Sequence, residues 1–107
     1  MSVVQISAKV LQEKIKSDVN LCLLDVREDN EFEFSHIKGS LHIPLAQIPQ
    51  RIGELDFGSE YIVICHHGIR SQQAAVFLDY SGFNQIYNLS GGIDAWSVEC
   101  DSTVLRY

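Results

Sequence analysis

Seven consecutive residues combine a nucleophile with anion-binding groups: Cys65-His66-His67-Gly68-Ile69-Arg70-Ser71. An apolar run over residues 61–64 precedes them, and a helix-like run begins near Ser71. A strand therefore delivers Cys65 into a short turn, and a helix leaves that turn with an arginine at its start. A helix N-terminus presents unpaired N–H groups and the positive end of the macrodipole. Together with Arg70 and the two histidines, it favours Cys65 as thiolate, the nucleophilic form of the side chain. The N–H groups of residues 66–70, with Ile69 among them, can form a cradle for negative charge. Gly68 permits a backbone shape that a Cβ would block. Arg70 is the natural clamp for an oxyanion, because guanidinium stays charged and offers paired donors. Ser71 is expected to cap the following helix. His66 and His67 either line the pocket and bind anions when protonated, or are exposed turn residues. No metal is expected, since Cys65, His66 and His67 are adjacent and do not converge on one ion, and paired ligands at zinc-site spacings are absent.

The elements that must position this loop follow from periodicity. Residues 3–6 suit a short strand, and Ser7 can cap a helix reaching about Ser17 with Val10, Leu11 and Ile15 on one face. Residues 21–26 form a nearly continuous apolar run, as in a strand covered on both faces. A short helix over 29–34 with Phe32 inward, a turn over 36–40 and a brief strand over 41–43 come next. Pro44 opens a helical segment containing Leu45, Ile48 and Ile52. After the strand at 61–64, residues 71–80 form an amphipathic helix with Ala74, Ala75, Phe77 and Leu78 facing the core, and Gly82 suits the position just past its end. A strand over 83–89, a tight turn at 90–92 and a helical turn over 93–97 complete the pattern. Alternating strands and helices predict an α/β sandwich around a mostly parallel sheet. Ligands in such sheets sit beyond the carboxyl ends of strands, where both Cys65 and Asp25 fall. Asp25 and Arg27 lie two apart and share a face, so the carboxylate can hold Arg27 or Arg70 in place.

Composition narrows the function. With 107 residues, 46% of them hydrophobic, one domain over 1–107 is expected. The net charge of -6 argues against nucleic acid or an anionic membrane as the main partner, so any anion must be attracted locally. No stretch reads as a secretory leader or a membrane span. Three cysteines, at 22, 65 and 100, are an odd number without metal-finger spacing, which suggests reduced thiols and a cytoplasmic setting. Cys22 reads as inert core. Cys100, beside Glu99 and Asp101, is a poor thiolate. Trp96 and Phe83 read as core aromatics.

The residues resemble the rhodanese-like sulfurtransferase family in its single-domain form, over nearly the whole chain. Leu24-Asp25-Val26-Arg27 with Glu31 resembles the family's early strand motif, and His36-Ile37-Lys38-Gly39-Ser40 with Ile43-Pro44 its second signature. Cys65 to Ser71 resembles its active-site loop. Gly82-Phe83 and the run from Leu89 to Trp96 resemble its C-terminal signature. Ser35 departs from the pattern, where the family commonly has glycine. The resemblance implies a three-layer α/β/α fold and transfer of sulfane sulfur through a persulfide on Cys65. The implied donor is thiosulfate or a low-molecular-weight persulfide, and the acceptor is cyanide or a thiol. A sulfur-relay protein is a candidate partner, and no cofactor is implied.

Two other readings stay open. A cysteine phosphatase or arsenate-reductase relative also uses a cysteine–arginine loop on oxyanions. Four residues separate Cys65 from Arg70 here, and the related phosphatases carry one more, so this loop is expected to fit sulfur better than a phosphoryl group. A non-catalytic binding module of the same fold is the other, although such members often lack the cysteine.

Overall fold

Five short strands pair into a single sheet in the computed structural model, which describes residues 3–17 and 20–107. The strands are β1 (Val4–Ile6), β2 (Leu21–Asp25), β3 (Leu41–His42), β4 (Glu60–Ile64) and β5 (Ile86–Leu89). Their spatial order is β1-β5-β4-β2-β3, and every pairing is parallel. Tyr61, Ile62, Val63 and Ile64 of the central β4 are all buried. An uninterrupted apolar strand of this kind needs cover on both faces, because successive side chains point to opposite sides.

That cover comes as two helical layers. On one face Leu24, Val63 and Cys65 pack with Ala74, Ala75 and Leu78 of α4 (Ile69–Tyr80) and with Ile48 of the short α3 (Ile48–Arg51). On the other, Leu23, Ile62 and Ile64 pack with Leu11 of α1 (Ala8–Ser17) and with Ile93 and Trp96 of α5 (Gly92–Glu99). The fold is the α/β sandwich that the alternation predicts, with the three α/β/α layers that the resemblance implies. Ser7 caps α1 as expected, its hydroxyl accepting from Val10 N–H at 3.2 Å. Beyond α4, Gly82 at φ +104° sits one place past the cap. Its N–H donates to Asp79 O, and that of Phe83 to Leu78 O. Both bonds are those of a Schellman ending.

Several expectations shift. α4 begins at Ile69, not Ser71, so Arg70 lies inside its first turn. Val10, Ile15 and Phe77 are exposed, and α1 buries only Ala8 and Leu11. The sheet is only a few strands wide, so each helix offers it a narrow stripe. Cys22 is half-buried rather than sealed in the core.

The remaining helix, α2 (Asp29–Phe34), buries none of its residues. A capping box links Glu28 and Glu31 at its start. Phe32 stacks between His36 at 3.9 Å and His42 at 4.4 Å. Polar contacts, described next, tie α2 to the carboxyl ends of β2 and β4. Those ends are adjacent, since Asp25 registers with Ile64 and Val26 N–H donates to Ile64 O at 2.9 Å.

Candidate active site at the carboxyl ends of β2 and β4

Cys65 follows β4 directly and is only 1% exposed. The loop after it turns on Gly68, at φ +103°. A Cβ on Gly68 would lie 2.3 Å from Ser90 O. A second glycine, Gly92 at φ +66°, brings the start of α5 against the loop from behind, where a Cβ would lie 2.1 Å from His66 O. At both positions only glycine supplies the backbone angle and the room. The close approach lets α5 bond to the loop: Ile93 N–H donates to Cys65 O at 2.8 Å, and Asp94 N–H to His66 O at 3.2 Å. With these carbonyls held by α5, the loop can present N–H groups to the sulfur.

Gly68 N–H donates to Cys65 Sγ at 3.1 Å. It alone of the cradle expected from residues 66–70 reaches Sγ among the described residues. The N–H groups of Ile69 and Arg70 belong to the first turn of α4, whose donors have no partner within the helix. Gly68, not Ser71, occupies the N-cap position. Ser71 lies inside the helix, its Oγ 3.3 Å from Sγ, and its hydroxyl donates to Asn88 Oδ1. Asn88 is itself fixed, its Nδ2 donating to Gln5 Oε1 at 2.8 Å and to Gly68 O at 3.2 Å. A hydroxyl can both accept from a thiol and turn to donate to a thiolate. Ser71 therefore faces the sulfur in either state instead of capping the helix.

The two arginines have separate partners. Asp25 holds Arg27 and not Arg70: Nη2 donates to Oδ2 at 2.8 Å and Nε to Oδ1 at 2.9 Å, with both side chains fully buried. Arg27 also donates to Glu31 O at 3.2 Å, to Ser35 O at 2.6 Å and to the Tyr107 hydroxyl at 3.0 Å. It thereby fastens α2 by its carbonyls. Arg70 is met by Glu31 in a two-toothed pair, Nη1 to Oε1 at 2.7 Å and Nη2 to Oε2 at 2.9 Å. The guanidinium holds the Glu31 carboxyl down at about 2, and the carboxylate in turn raises the Arg70 pKa. The expected oxyanion clamp thus has one edge already occupied, while its remaining N–H groups are uncommitted to Glu31.

His66 is sandwiched between His67 and Tyr107, with ring centroids 4.0 Å apart on each side. Its Nε2 is buried without a partner, and burial, followed by His67, lowers its pKa. His67 is exposed, 3.7 Å from Asp94. Ligand atoms of His66, His67 and Asp94 lie within 4.8 Å of one another, a grouping that includes Asp94 in place of Cys65. Stacked imidazoles direct their in-plane lone pairs side by side, and Asp94 is paired with Arg106 at 2.8 Å. The donor set is poorly shaped for an ion. A hollow of about 430 Å³ flanks the loop on the β5 side, lined by His67, Gly68, Ile69, Gln72, Asn88 and Ser90 among others. At the other thiols, burial pushes up the pKa of Cys22, and burial more than the neighbouring carboxylates pushes up that of Cys100.

Sequence reasoning did not single out Tyr107 or Asn88 and used Glu31 only as part of a motif. Tyr107 comes from the far end of the chain, where no local pattern signals a site. Glu31 could have been found as an acid one helical turn into a segment that follows Arg27. Ser35, the departure from glycine, has φ -165°, extended backbone open to any residue, and its hydroxyl donates to Leu105 O at 2.9 Å.

The family model of the rhodanese-like domain matches residues 7–99. The chain belongs to that family. It is 40% identical over 99 residues to YtwF of Bacillus subtilis (strain 168), provisionally named a sulfurtransferase, covering 92% of this chain and 95% of that protein. It is 38% identical over 74 residues to the thiosulfate sulfurtransferase GlpE of Shewanella oneidensis, covering 69% and 73%. Against YrkF of Bacillus subtilis, provisionally named a sulfur carrier protein, it is 40% identical over 96 residues but spans only 52% of the relative's length. Among solved structures, the rhodanese-related protein of Thermoplasma volcanium superposes with a TM-score of 0.81 at 37% identity, covering 91% of this chain and 93% of the other. The rhodanese-like sandwich and the sulfurtransferase kinship that the motifs imply are therefore established. No helix of the described residues is long and apolar enough to cross a membrane.

Proposed function

We propose that residues 1–107 act as one sulfurtransferase unit that moves sulfane sulfur through a persulfide on Cys65. The observation that carries this reading is the seat of Sγ. It is buried at the start of α4, receives the Gly68 N–H at 3.1 Å and faces the Ser71 hydroxyl at 3.3 Å. Preformed donors of this kind stabilise negative charge on sulfur without having to reorganise. In the first half-reaction the Cys65 thiolate attacks the outer sulfur of the donor. With thiosulfate the S–S bond breaks, sulfite leaves with the electron pair, and Cys65 carries S–S⁻. In the second half-reaction cyanide or a thiolate attacks the outer sulfur, and the Cys65 thiolate is the leaving group. Arg70 supports the anionic donor, and Asp25 and Arg27 hold the loop's surroundings. The flanking hollow, with amide groups of Gln72 and Gln73, suits a polar thiol acceptor or the tip of a sulfur-relay protein. The chemistry needs no cofactor or metal, and three free thiols suit a reducing compartment such as the cytoplasm.

The near-complete burial of Cys65 and the short loop favour entry of a single sulfur over a tetrahedral phosphoryl group. The test is a mass spectrum after thiosulfate treatment. One sulfur atom should be added on the peptide containing Cys65, removable by cyanide or dithiothreitol and indifferent to chelators. Cys65→Ser should abolish both adduct and turnover, while Cys22→Ser and Cys100→Ser keep them. An adduct on Cys100, or Cys65-dependent phosphate release from an aryl phosphate, would overturn the reading.

A further inference from the structure

The arginines around the loop are all matched by carboxylates. Arg27 is paired with Asp25, Arg106 with Asp94 and Arg70 with Glu31. Only the last pair stands at the start of α4 beside Cys65, and its carboxylate is unusually well held. Glu31 accepts from Arg70 Nη1 at 2.7 Å and Nη2 at 2.9 Å, from the Tyr107 hydroxyl at 2.9 Å and from Glu28 N–H at 2.9 Å. Tyr107 is fixed in turn. Its ring stacks on His66, its hydroxyl accepts from Arg27 at 3.0 Å, and the segment behind it is tied by Ser35 to Leu105 O, Arg106 to Asp94 and Ser97 to Val104 O. An incoming anion therefore cannot displace Glu31 simply by rotating one side chain.

We propose that Glu31, steadied by Tyr107, is a donor-specificity residue: by occupying the guanidinium fork of Arg70 it favours persulfide donors over the thiosulfate dianion. This deepens the sulfurtransferase reading and rests on it. Thiosulfate brings two negative charges to a site whose nucleophile carries a third, and the nearest cation is already neutralised. A persulfide brings one as R–S–S⁻ and none as R–S–SH, the protonated form that is the electrophile. The Cys65 thiolate attacks its outer sulfur, the S–S bond breaks, the electron pair leaves on RS⁻, and Cys65 carries S–SH. Glu31 and Tyr107 touch neither sulfur and act through Arg70 as positioning residues.

The test is the second-order rate constant for loading sulfur onto Cys65, measured by acid quench and intact mass with sodium thiosulfate or cysteine persulfide. Glutamine at 31 keeps the shape and suits the same helix position. Glu31→Gln should raise the thiosulfate constant about tenfold, as expected for one charge uncovered at a partly solvated contact, and change the persulfide constant less than about twofold. The gain should fall away as salt rises, while wild-type thiosulfate loading stays flat or rises, because salt screens the repulsion between like charges. Tyr107→Phe, which keeps the ring on His66 but removes the bond to Glu31, should move the donor ratio the same way by about twofold. Thiosulfate loading that is unchanged or slower in Glu31→Gln, with both donors still loading Cys65, would overturn the proposal and make Glu31 merely the holder of Arg70. A steep fall of wild-type thiosulfate loading with rising salt would overturn it without any variant. Failure of both donors to load wild-type Cys65 would instead bring down the sulfurtransferase reading itself.

Discussion

Two of the arginine–carboxylate pairs among the described residues, Asp25–Arg27 and Glu31–Arg70, lie close to the ends of β2 and β4, built from the same groups and set to opposite uses. Asp25–Arg27 is fully buried, and Arg27 gathers Glu31 O, Ser35 O and the Tyr107 hydroxyl as well as its own carboxylate. Glu31–Arg70 keeps 33% exposure on the arginine and 16% on the glutamate. α2 contributes no buried side chain to the core, so the buried pair does for it what apolar packing does for the other helices. The rim pair is joined to the buried one through Tyr107 and the Glu31 backbone, yet it remains within reach of solvent and an incoming anion. Burial and full satisfaction make an ion pair part of the architecture, whereas partial exposure leaves its charge open to a substrate.

The largest effect that would break this comparison concerns stability. Removing one member of a buried pair strands the other, at a cost of about 3–5 kcal/mol. Asp25→Ala should therefore lower unfolding free energy by that order in a urea titration, while Arg70→Ala, at a pair partly open to solvent, loses less. Equal losses would erase the distinction between the pairs.

Activity should show the reverse order of specificity. Arg70→Ala removes a charge-assisted contact and leaves Glu31 unmatched, so thiosulfate turnover should drop about 10- to 150-fold. Lysine at 70 should restore little, because a point charge replaces a fork. Combining Arg70→Ala with Glu31→Gln should recover part of the loss. A double variant as poor as Arg70→Ala would show that the two side chains do not act through one charge balance.

The smallest effect sharpens the electrostatics. Glu31 titrates at about 2 in the folded chain against an ordinary value of 4.5. A depressed carboxyl contributes stability that is complete above the unfolded value and is lost as pH falls toward the folded one. Wild type should therefore lose more stability between about pH 4.5 and pH 2 than Glu31→Gln, measured by chemical denaturation at each pH. Identical acid profiles would mean that Arg70 does not hold the carboxylate in solution.

The parts legible in the sequence are those fixed by neighbours along the chain. The ends of α2 are read correctly because residues 29–34 fall between Arg27 and the turn over 36–40. The stop of α4 at Tyr80 follows from Gly82. Cys65 at a strand end follows from the apolar run before it. The start of α4 was less legible: Gly68 at positive φ serves as the cap, and Ser71, the conventional cap residue, was needed at Asn88 and the sulfur instead. Partner choice was not legible either. Asp25 lies two residues from Arg27 but many from Arg70, and only the positions of α2 and α4 show that Glu31 takes the second arginine. Tyr107 reaches the site from 76 residues beyond Glu31, a distance no periodic pattern spans.

The seam between the loop and α5 bears on how this site could change over generations. Cys65 and His66 each give a carbonyl to an amide of α5, and Gly92 leaves no space between them. A lineage that lengthened the loop at Cys65 or His66 would disturb that seam before the wider ring had any new substrate to offer. The intermediate would carry the loss alone. The length of the loop is thus tied to a helix that begins 22 residues past Arg70, and the two would have to be inherited and altered together.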